Sequence, residues 1–291
     1  MIILLGAIIV IASVAGGFVM AGGNFGTLMH LSELVIIGGA AFGAMIIMAP
    51  RKVLMDLASQ VLYVLKGTPY SRKAYEELFM TLYELFLLGR RNGLIALEEH
   101  LTNPAGSAIF QRYPGMLRNK PTLEFLCGAL RPVIDGRVKP DQLRQLLETD
   151  LERMEEESHA PINVLTRTAD AMPGFGIVAA VLGIVITMAS IAGPIEKIGE
   201  KVAAALVGTF LGIFLGYGFM SPLAVNIEFN MLARLAYFHC ISSAVVSFAS
   251  GMAPGMAVEI ARRSLSEDLR PGADELEAML KTLNANAAQA K

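Results

Sequence analysis

The sequence predicts an all-α integral membrane protein with four transmembrane helices and a large helical cytoplasmic domain inserted between the second and third. Four apolar runs have about the length at which a helix crosses the hydrocarbon core of a bilayer. Apolar residues make up 54% of the 291-residue chain, and charged residues only 17%. The charged residues concentrate between the second and third runs, where the pattern becomes amphipathic.

The first two spans are predicted within residues 1–50. Met1 to Gly22 reads as an uncleaved helix, because a signal peptide would carry basic residues ahead of its apolar core and no lysine or arginine precedes Arg51. Glu33 to Pro50 is barely long enough to span. Its charged residue, Glu33, is expected at the membrane edge.

Residues 51–171 predict a cytoplasmic helical domain. Apolar residues recur there at helical spacing, and no stretch alternates for long as a strand would. One helix is expected to begin at Pro140, because proline followed by Asp141 is a typical helix start, and to end near Glu157.

Residues 172–222 predict a hairpin of two transmembrane helices. The apolar runs Pro173 to Ala192 and Val202 to Ser221 contain no charged side chain. Pro173 is expected to open the third helix and Pro222 to close the fourth, both at the same membrane face. A short outer loop between the runs is expected to hold Glu196, Lys197, Glu200 and Lys201.

Small residues recur every four positions on both helices of this hairpin. Such stripes let helix backbones approach closely in lipid, which favours ordinary packing within one subunit. The stripes are Gly208, Gly212 and Gly216 on the fourth span and Ala179, Gly183 and Thr187 on the third. Packing alone does not explain Thr209, a hydroxyl near mid-membrane beside the glycines.

No acidic residue lies deep in the four runs. A proton path usually needs an ionisable group that can load and unload. Either this chain does not conduct, or a partner helix supplies the acid. On composition alone, a structural scaffold and a channel wall remain equally open.

Residues 223–291 predict a cytoplasmic helical segment. Leu235 to Ala253 carries no lysine, arginine, aspartate or glutamate, but a fifth crossing would place Arg262 and Arg263 outside, against the positive-inside rule. We therefore predict a buried helix that packs on the cytoplasmic domain, followed by a terminal helix within Pro271 to Lys291.

The basic residues also give an orientation. Of 24 lysines and arginines, only Lys197 and Lys201 fall in a predicted outer loop. Both termini and the large domain are therefore expected in the cytoplasm.

The composition disfavours several other classes of function. A net charge of −2 gives no indication of nucleic-acid binding, and Cys127 and Cys240 have no disulfide or zinc-site spacing. The histidines are scattered, and no phosphate-binding loop or nucleophile elbow is present. We predict no catalytic residue, no metal ligand and no cofactor.

Three segments resemble the A subunit of the bacterial flagellar stator, the MotA/PomA family, and more distantly the ExbB/TolQ proton-channel family. They are GRRNGLIALEEHL at Gly89–Leu101, ADAMPGFGIVAAVLGIVITM at Ala169–Met188 and VGTFLGIFLGYGFMSPLA at Val207–Ala224. The resemblance implies an inner-membrane protein of the flagellar motor that couples ion flow to torque in motility and chemotaxis.

The resemblance also implies partners. The family forms a homo-oligomer, a ring of five A subunits, around two B-type subunits. Each B-type subunit supplies one span, a membrane aspartate and a peptidoglycan-binding domain. The acid missing from this chain would then belong to the partner.

Several residue roles follow from the resemblance. Pro173 and Pro222 match prolines that couple ion binding to movement. Ala180 and Thr209 match positions along the ion pathway, where sodium-type relatives tend to carry two threonines. An alanine side chain offers no oxygen ligand to a metal ion, so we expect protons as the transported ion, with sodium less favoured although Thr187 could supply an oxygen.

Arg90 and Glu98 match a charged pair that contacts the rotor's switch-complex protein. Arg91 and Glu99 lie next to them, so which member of each pair makes the contact stays open. Without the resemblance these residues would read as ordinary solvated charges on a helix surface.

Two alternatives remain at the level of sequence. An ExbB/TolQ-like energiser of an envelope partner would share the hairpin but typically has three spans, so the extra pair in residues 1–50 argues against it. The other alternative is a membrane scaffold that does not conduct.

Overall fold

The computed structural model describes residues 2–28, 31–189, 192 and 194–289, and throughout these residues the regular structure is helical. The predicted end of the third span falls at residues 190–193, of which only residue 192 is described. The helices are, in chain order, α1 (Ile2–Met20), α2 (Leu31–Met48), α3 (Arg51–Lys66), α4 (Arg72–Asn92), α5 (Glu98–Thr102), α6 (Ala108–Arg112), α7 (Pro114–Arg118), α8 (Lys120–Ile134), α9 (Pro140–Met188), α10 (Ile195–Leu215), α11 (Ser221–Ala249), α12 (Pro254–Arg263) and α13 (Ala273–Gln289).

The chain divides into two compact units. Unit 1 contains residues 1–67 and 157–230, and unit 2 contains residues 68–156 and 231–291. The long helices α9 and α11 contribute residues to both units. The domain boundaries expected from the sequence, after residues 50, 171 and 222, stay predictions.

Four helical stretches are long and apolar enough to cross a membrane. They lie within α1, α2, α9 and the run from Ile195 to Ala249 that joins α10 to α11. The predicted class, an all-helical membrane protein, is confirmed. The outward surface of α1 is almost wholly apolar and exposed, as expected for a helix that contacts lipid or other membrane helices.

Unit 2 has an aromatic core that explains the predicted buried helix after Pro222. Phe86 on α4 stacks on Phe248 of α11 with ring centroids 4.3 Å apart, and Phe125 on α8 stacks on Phe238 at 5.0 Å. These α11 side chains are buried in the core of unit 2, as expected for a helix that packs within this domain.

Two helix ends differ from the prediction. The helix from Pro140 does not stop near Glu157, and Pro173 does not begin a new helix, because α9 runs unbroken from Pro140 to Met188 with Pro173 inside it. A proline removes one backbone hydrogen bond, and a long apolar helix packed against a neighbour tolerates that loss.

The outer loop is also shorter than predicted. Glu196, Lys197, Glu200 and Lys201 lie in the first two turns of α10, which begins after Pro194 in an extended conformation. Glutamate and lysine are good helix formers. The negative charge of Glu196 in the first turn also interacts favourably with the partial positive charge of the helix N-terminus.

Pro222 does not end the fourth helix. The helix continues past it, through a π-helical turn at Gly216–Met220 and into α11, where Pro222 is the second residue. Within a continuous helix a proline removes one hydrogen bond and crowds the carbonyl four residues earlier, and the wider π-helical turn accommodates the ring.

A buried arginine ties α12 to the segment that follows it. Arg262 is 7% exposed, and its guanidinium donates two hydrogen bonds to the Glu259 carboxylate, at 2.7 and 2.8 Å, and one to the Pro271 carbonyl at 2.8 Å. Arg263 donates a further bond to Glu259 at 2.8 Å. The hydrogen bonds from Arg262 lower the pKa of Glu259 to about 2.

This pair gives unit 2 an acid-sensitive contact. Because the pKa of Glu259 is lower in the folded state, its contribution to stability is present above the ordinary carboxyl pKa and is lost as the pH falls toward 2. We expect Glu259→Gln to lower the free energy of unfolding of unit 2 by about 1–3 kcal/mol at neutral pH, since it removes the carboxylate from a buried arginine.

Thermal unfolding of the detergent-solubilised protein, followed by circular dichroism at several pH values, measures both effects. Glu277→Gln is the matched control, because its carboxylate pairs with Lys281 on an exposed helix surface. Equal stability curves for the two variants would contradict the assignment.

Candidate functional site: the membrane hairpin

The helices α9 and α10 cross at a contact made of backbone atoms. A Cβ atom placed on Gly176 would lie 2.8 Å from the carbonyl oxygen of Gly208 and 3.2 Å from the Cα atoms of Thr209 and Gly212. A Cβ on Gly212 would lie 2.6 Å from the carbonyl oxygen of Met172. At these two positions only glycine allows the observed approach.

The same stripe continues in both directions along the hairpin. Toward one end, a Cβ on Gly183 would lie 2.8 Å from the Ala205 Cβ, and toward the other, a Cβ on Gly216 would lie 2.8 Å from the Ala169 carbonyl oxygen. The small residues therefore serve the packing of the two helices within one subunit. The Thr187 hydroxyl also serves its own subunit, because it donates a hydrogen bond to the Gly183 carbonyl of its own helix at 2.7 Å.

Pro173 lies where α9 meets the π-helical turn. A proline has no N–H to donate, so the carbonyl of Ala169, four residues earlier, lacks its usual helical partner. The backbone of Gly216 packs against that carbonyl, and a Cβ there would also lie 3.5 Å from Pro173 Cδ. Pro173 is thus a point of contact in the interior of a helix.

Pro222 accounts for the π-helical turn itself. Its ring would crowd the carbonyl of Gly218, four residues earlier, in a regular α-helix. The backbone instead widens over Gly216–Met220, and the N–H of Ser221 bonds to the carbonyl of Gly216, five residues back. The structure therefore brings both proline-perturbed stretches together at one end of the hairpin, through Gly216.

The residues expected along the ion pathway, Ala180 and Thr209, come to the same crossing. Ala180 is 9% exposed, and its backbone nitrogen would lie 3.4 Å from a Cβ on Gly208, the residue before Thr209. The Thr209 side chain is half-buried. The two positions thus flank one contact between α9 and α10.

The sequence analysis gave Glu33 no role beyond its expected place at the membrane edge, which stays a prediction. Its side chain is only 6% exposed and packs where α2 contacts α10. Its Cγ atom would lie 3.4 Å from a Cβ on Gly208. The available signal was the position of Glu33 as a lone acid in an otherwise apolar run.

Arg90 and Glu98 lie in unit 2, on the surface where α4 ends and α5 begins. Both are exposed, and neither forms an ion pair with another residue in the described part of the chain. Arg91 differs from Arg90, because it lines an open pocket together with His100 and Arg112. Among the described residues, no three His, Cys, Asp or Glu side chains gather where they could hold a metal ion.

Comparison with known sequences gives family matches in both halves of the chain. The Motility protein A N-terminal profile matches residues 4–93, and that of the MotA/TolQ/ExbB proton channel family matches residues 118–234. The chain is 38% identical to Motility protein A of Salmonella typhimurium over 277 residues, which cover 95% of this chain and 94% of that protein. It is 36% identical to the chemotaxis protein LafT of Vibrio parahaemolyticus, over 95% and 97% of the two chains.

Solved structures share the fold. The chain superposes on a protein of the C. jejuni MotAB structure with a TM-score of 0.77 at 23% identity, covering 93% of this chain and 98% of that one. The flagellar MotAB stator complex of Bacillus subtilis gives a TM-score of 0.74 at 24% identity, over 94% and 98% of the two chains.

The crossing predicts a difference between two glycine substitutions. We expect Gly212→Ala to lower the free energy of unfolding by about 1–3 kcal/mol, because its methyl group would collide with the Met172 backbone. Gly174→Ala is the matched control on α9, since a Cβ there meets nothing within 4 Å. Thermal unfolding in detergent compares them, and equal stability would show that the close approach is not needed.

Proposed function

The chain belongs to the motility protein A family, and we propose that it is a flagellar stator subunit which conducts protons with a B-type partner and converts their flow into torque on the rotor. The observation that carries this proposal is the full-length similarity to Motility protein A. The match over residues 4–93 includes the two additional spans, which favours a stator over an ExbB/TolQ-like energiser.

The hairpin supports a channel wall rather than a complete channel. Its apolar stretches, residues 173–188 and 202–221, carry no aspartate, glutamate, histidine, lysine or arginine. A proton path through this region needs a carboxyl group from elsewhere, and a partner span with one membrane aspartate would supply it. The related structures are stator complexes of an A and a B protein, which is consistent with this division of roles.

The chain is a multi-pass membrane protein, and we infer that it lies in the inner membrane with both termini in the cytoplasm. The charge distribution supports this orientation, since unit 2 contains most of the basic residues. We further infer that several copies, five in the related family, surround the partner. The protein then works by ion movement and conformational change, without covalent catalysis.

The energy source is sufficient for mechanical work. Each proton that crosses about 100 mV releases roughly 2.3 kcal/mol. A protonation step can drive motion only through contacts that differ between the two charge states. Pro173 and the π-helical turn before Pro222 meet at Gly216, which makes this end of the hairpin the proposed place of coupling.

The rotor contact is proposed at Arg90 and Glu98. Both are exposed and without an ion-pair partner among the described residues, so their charges are available to another protein. Charged contacts of this kind tune encounter and specificity without holding the partners permanently. Arg90 is the better candidate than Arg91, which faces the pocket beside His100.

Charge reversal tests this assignment. We expect Arg90→Glu and Glu98→Lys each to reduce swimming strongly, because they invert a steering charge, while complex assembly in the membrane is unchanged since both side chains are exposed. Motility plates, with membrane levels of the complex as reference, measure the effect. Lys281→Glu is a control at another exposed position of unit 2. Normal swimming of the double reversal would remove Arg90 and Glu98 from the torque role.

The ion is proposed to be the proton. Ala180 offers no side-chain oxygen, so of the two matched ion-pathway positions only Thr209 carries a hydroxyl that could bind a metal ion. We expect rotation to stop when a protonophore collapses the proton gradient and to continue when sodium is replaced by potassium. Rotation speed of tethered cells measures both, and arrest on sodium removal would overturn the assignment.

A further inference from the structure

Glu33 is an acidic side chain within the membrane that the proposed function does not yet use. The four apolar stretches, residues 2–20, 31–48, 173–188 and 202–221, contain one charged residue in sequence, and it is Glu33. It lies in the first turn of α2, and 6% of its surface is exposed. A buried carboxylate in a membrane is expensive and is retained where it has a partner or a role.

The surroundings of Glu33 connect it to the hairpin crossing. Helices α2, α9 and α10 meet at Gly208. A Cβ atom there would lie 3.4 Å from Glu33 Cγ on α2, and 3.1 Å from Ala179 Cβ and 3.4 Å from the Ala180 nitrogen on α9. Because Gly208 has no side chain, the Glu33 side chain packs directly against α10. The Glu33 side chain therefore lies beside the same part of the α9–α10 contact that Ala180 and Thr209 flank.

The local hydrogen bonding holds the carboxyl group in place. The hydroxyl of Ser32 donates to Glu33 Oε2 at 2.5 Å. The other charged groups of the packed element α10 are Glu196, Lys197, Glu200 and Lys201, at least seven residues before Gly208, and α9 has none between 173 and 188. The Glu33 carboxyl group therefore packs against stretches of α9 and α10 that carry no charged side chain of their own, residues 173–188 and 202–221.

We propose that the Glu33 carboxyl group binds protons on their way through the channel, between the outer side and the carboxyl group that the partner supplies. This inference rests on the proposed stator function and on its orientation, in which α2 begins at the outer face. A proton from outside water adds to the Glu33 carboxylate and passes on to the partner's carboxylate. Glu33 returns to its charged form at the end of each transfer, so the charges balance.

The test measures proton uptake by cells that contain the full chain and its B-type partner, with an internal pH dye at a fixed membrane potential. Uptake is recorded from about pH 5 to 8 outside and divided by the amount of assembled complex. We expect Glu33→Gln to lower uptake at least about tenfold, because the amide does not exchange a proton. Glu196→Gln, at the exposed start of α10, is the matched control and should conduct normally.

Two further variants separate proton transfer from packing. Glu33→Asp keeps a titratable group and should restore most of the uptake. Glu33→His should move the dependence of uptake on outer pH upward by about two pH units, the difference between ordinary histidine and glutamate. A variant that merely filled space would not move this profile.

Each remaining outcome is decisive. Wild-type uptake in Glu33→Gln would overturn the inference, as would an equal loss in the Gln, Asp and His variants with no shift of the pH profile. Replacing the partner's carboxyl group distinguishes the proposed function: if that change leaves wild-type uptake intact, the stator channel itself fails and the role of Glu33 falls with it. If replacing the partner's carboxyl group abolishes uptake but Glu33→Gln does not change it, the stator channel is supported and Glu33 has no part in it.

Discussion

The close backbone approach of α9 and α10 is the constraint on which the membrane part of this protein depends. In lipid, apolar side chains gain little by contacting each other instead of acyl chains, so two helices associate through dispersion and geometry. Glycine at 176, 208 and 212 removes the side chains that would keep the axes apart. Everything of functional interest in unit 1 is arranged around that contact: Ala180 and Thr209 flank it, and Glu33 packs against it.

The sequence predicted the architecture well because its signals are physical and local. Runs of about 20 apolar residues, an amphipathic insert and a strong bias of basic residues each report a direct constraint of the bilayer. The burial of Leu235 to Ala249 was also predictable, since another crossing would have conflicted with the arginines that follow. The stripes of small residues indicated the helix crossing, although not the pairs of residues that meet there.

The differences arose where tertiary contacts override local preference. Pro173 was expected to open one helix and Pro222 to close another, but long packed helices accommodate both prolines, the second by a wider backbone turn. The charged run from Glu196 to Lys201 read as a loop because it was polar, although its residues are good helix formers. The burial of Glu33 could not be predicted from the sequence, because its place in the first turn of α2 does not indicate that α10 packs against it.

The π-helical turn also has a consequence for how relatives are compared. A π turn corresponds to one residue more than an α-helix of the same length requires. A relative that lacks that residue, and also lacks Pro222, would restore a regular helix and rotate every later side chain of the span by about 100° relative to this chain. A single-position gap in an alignment near Gly216 to Met220 would therefore mark a change of helix face, and substitutions beyond it would have to be compared by the surface they occupy and not by their number.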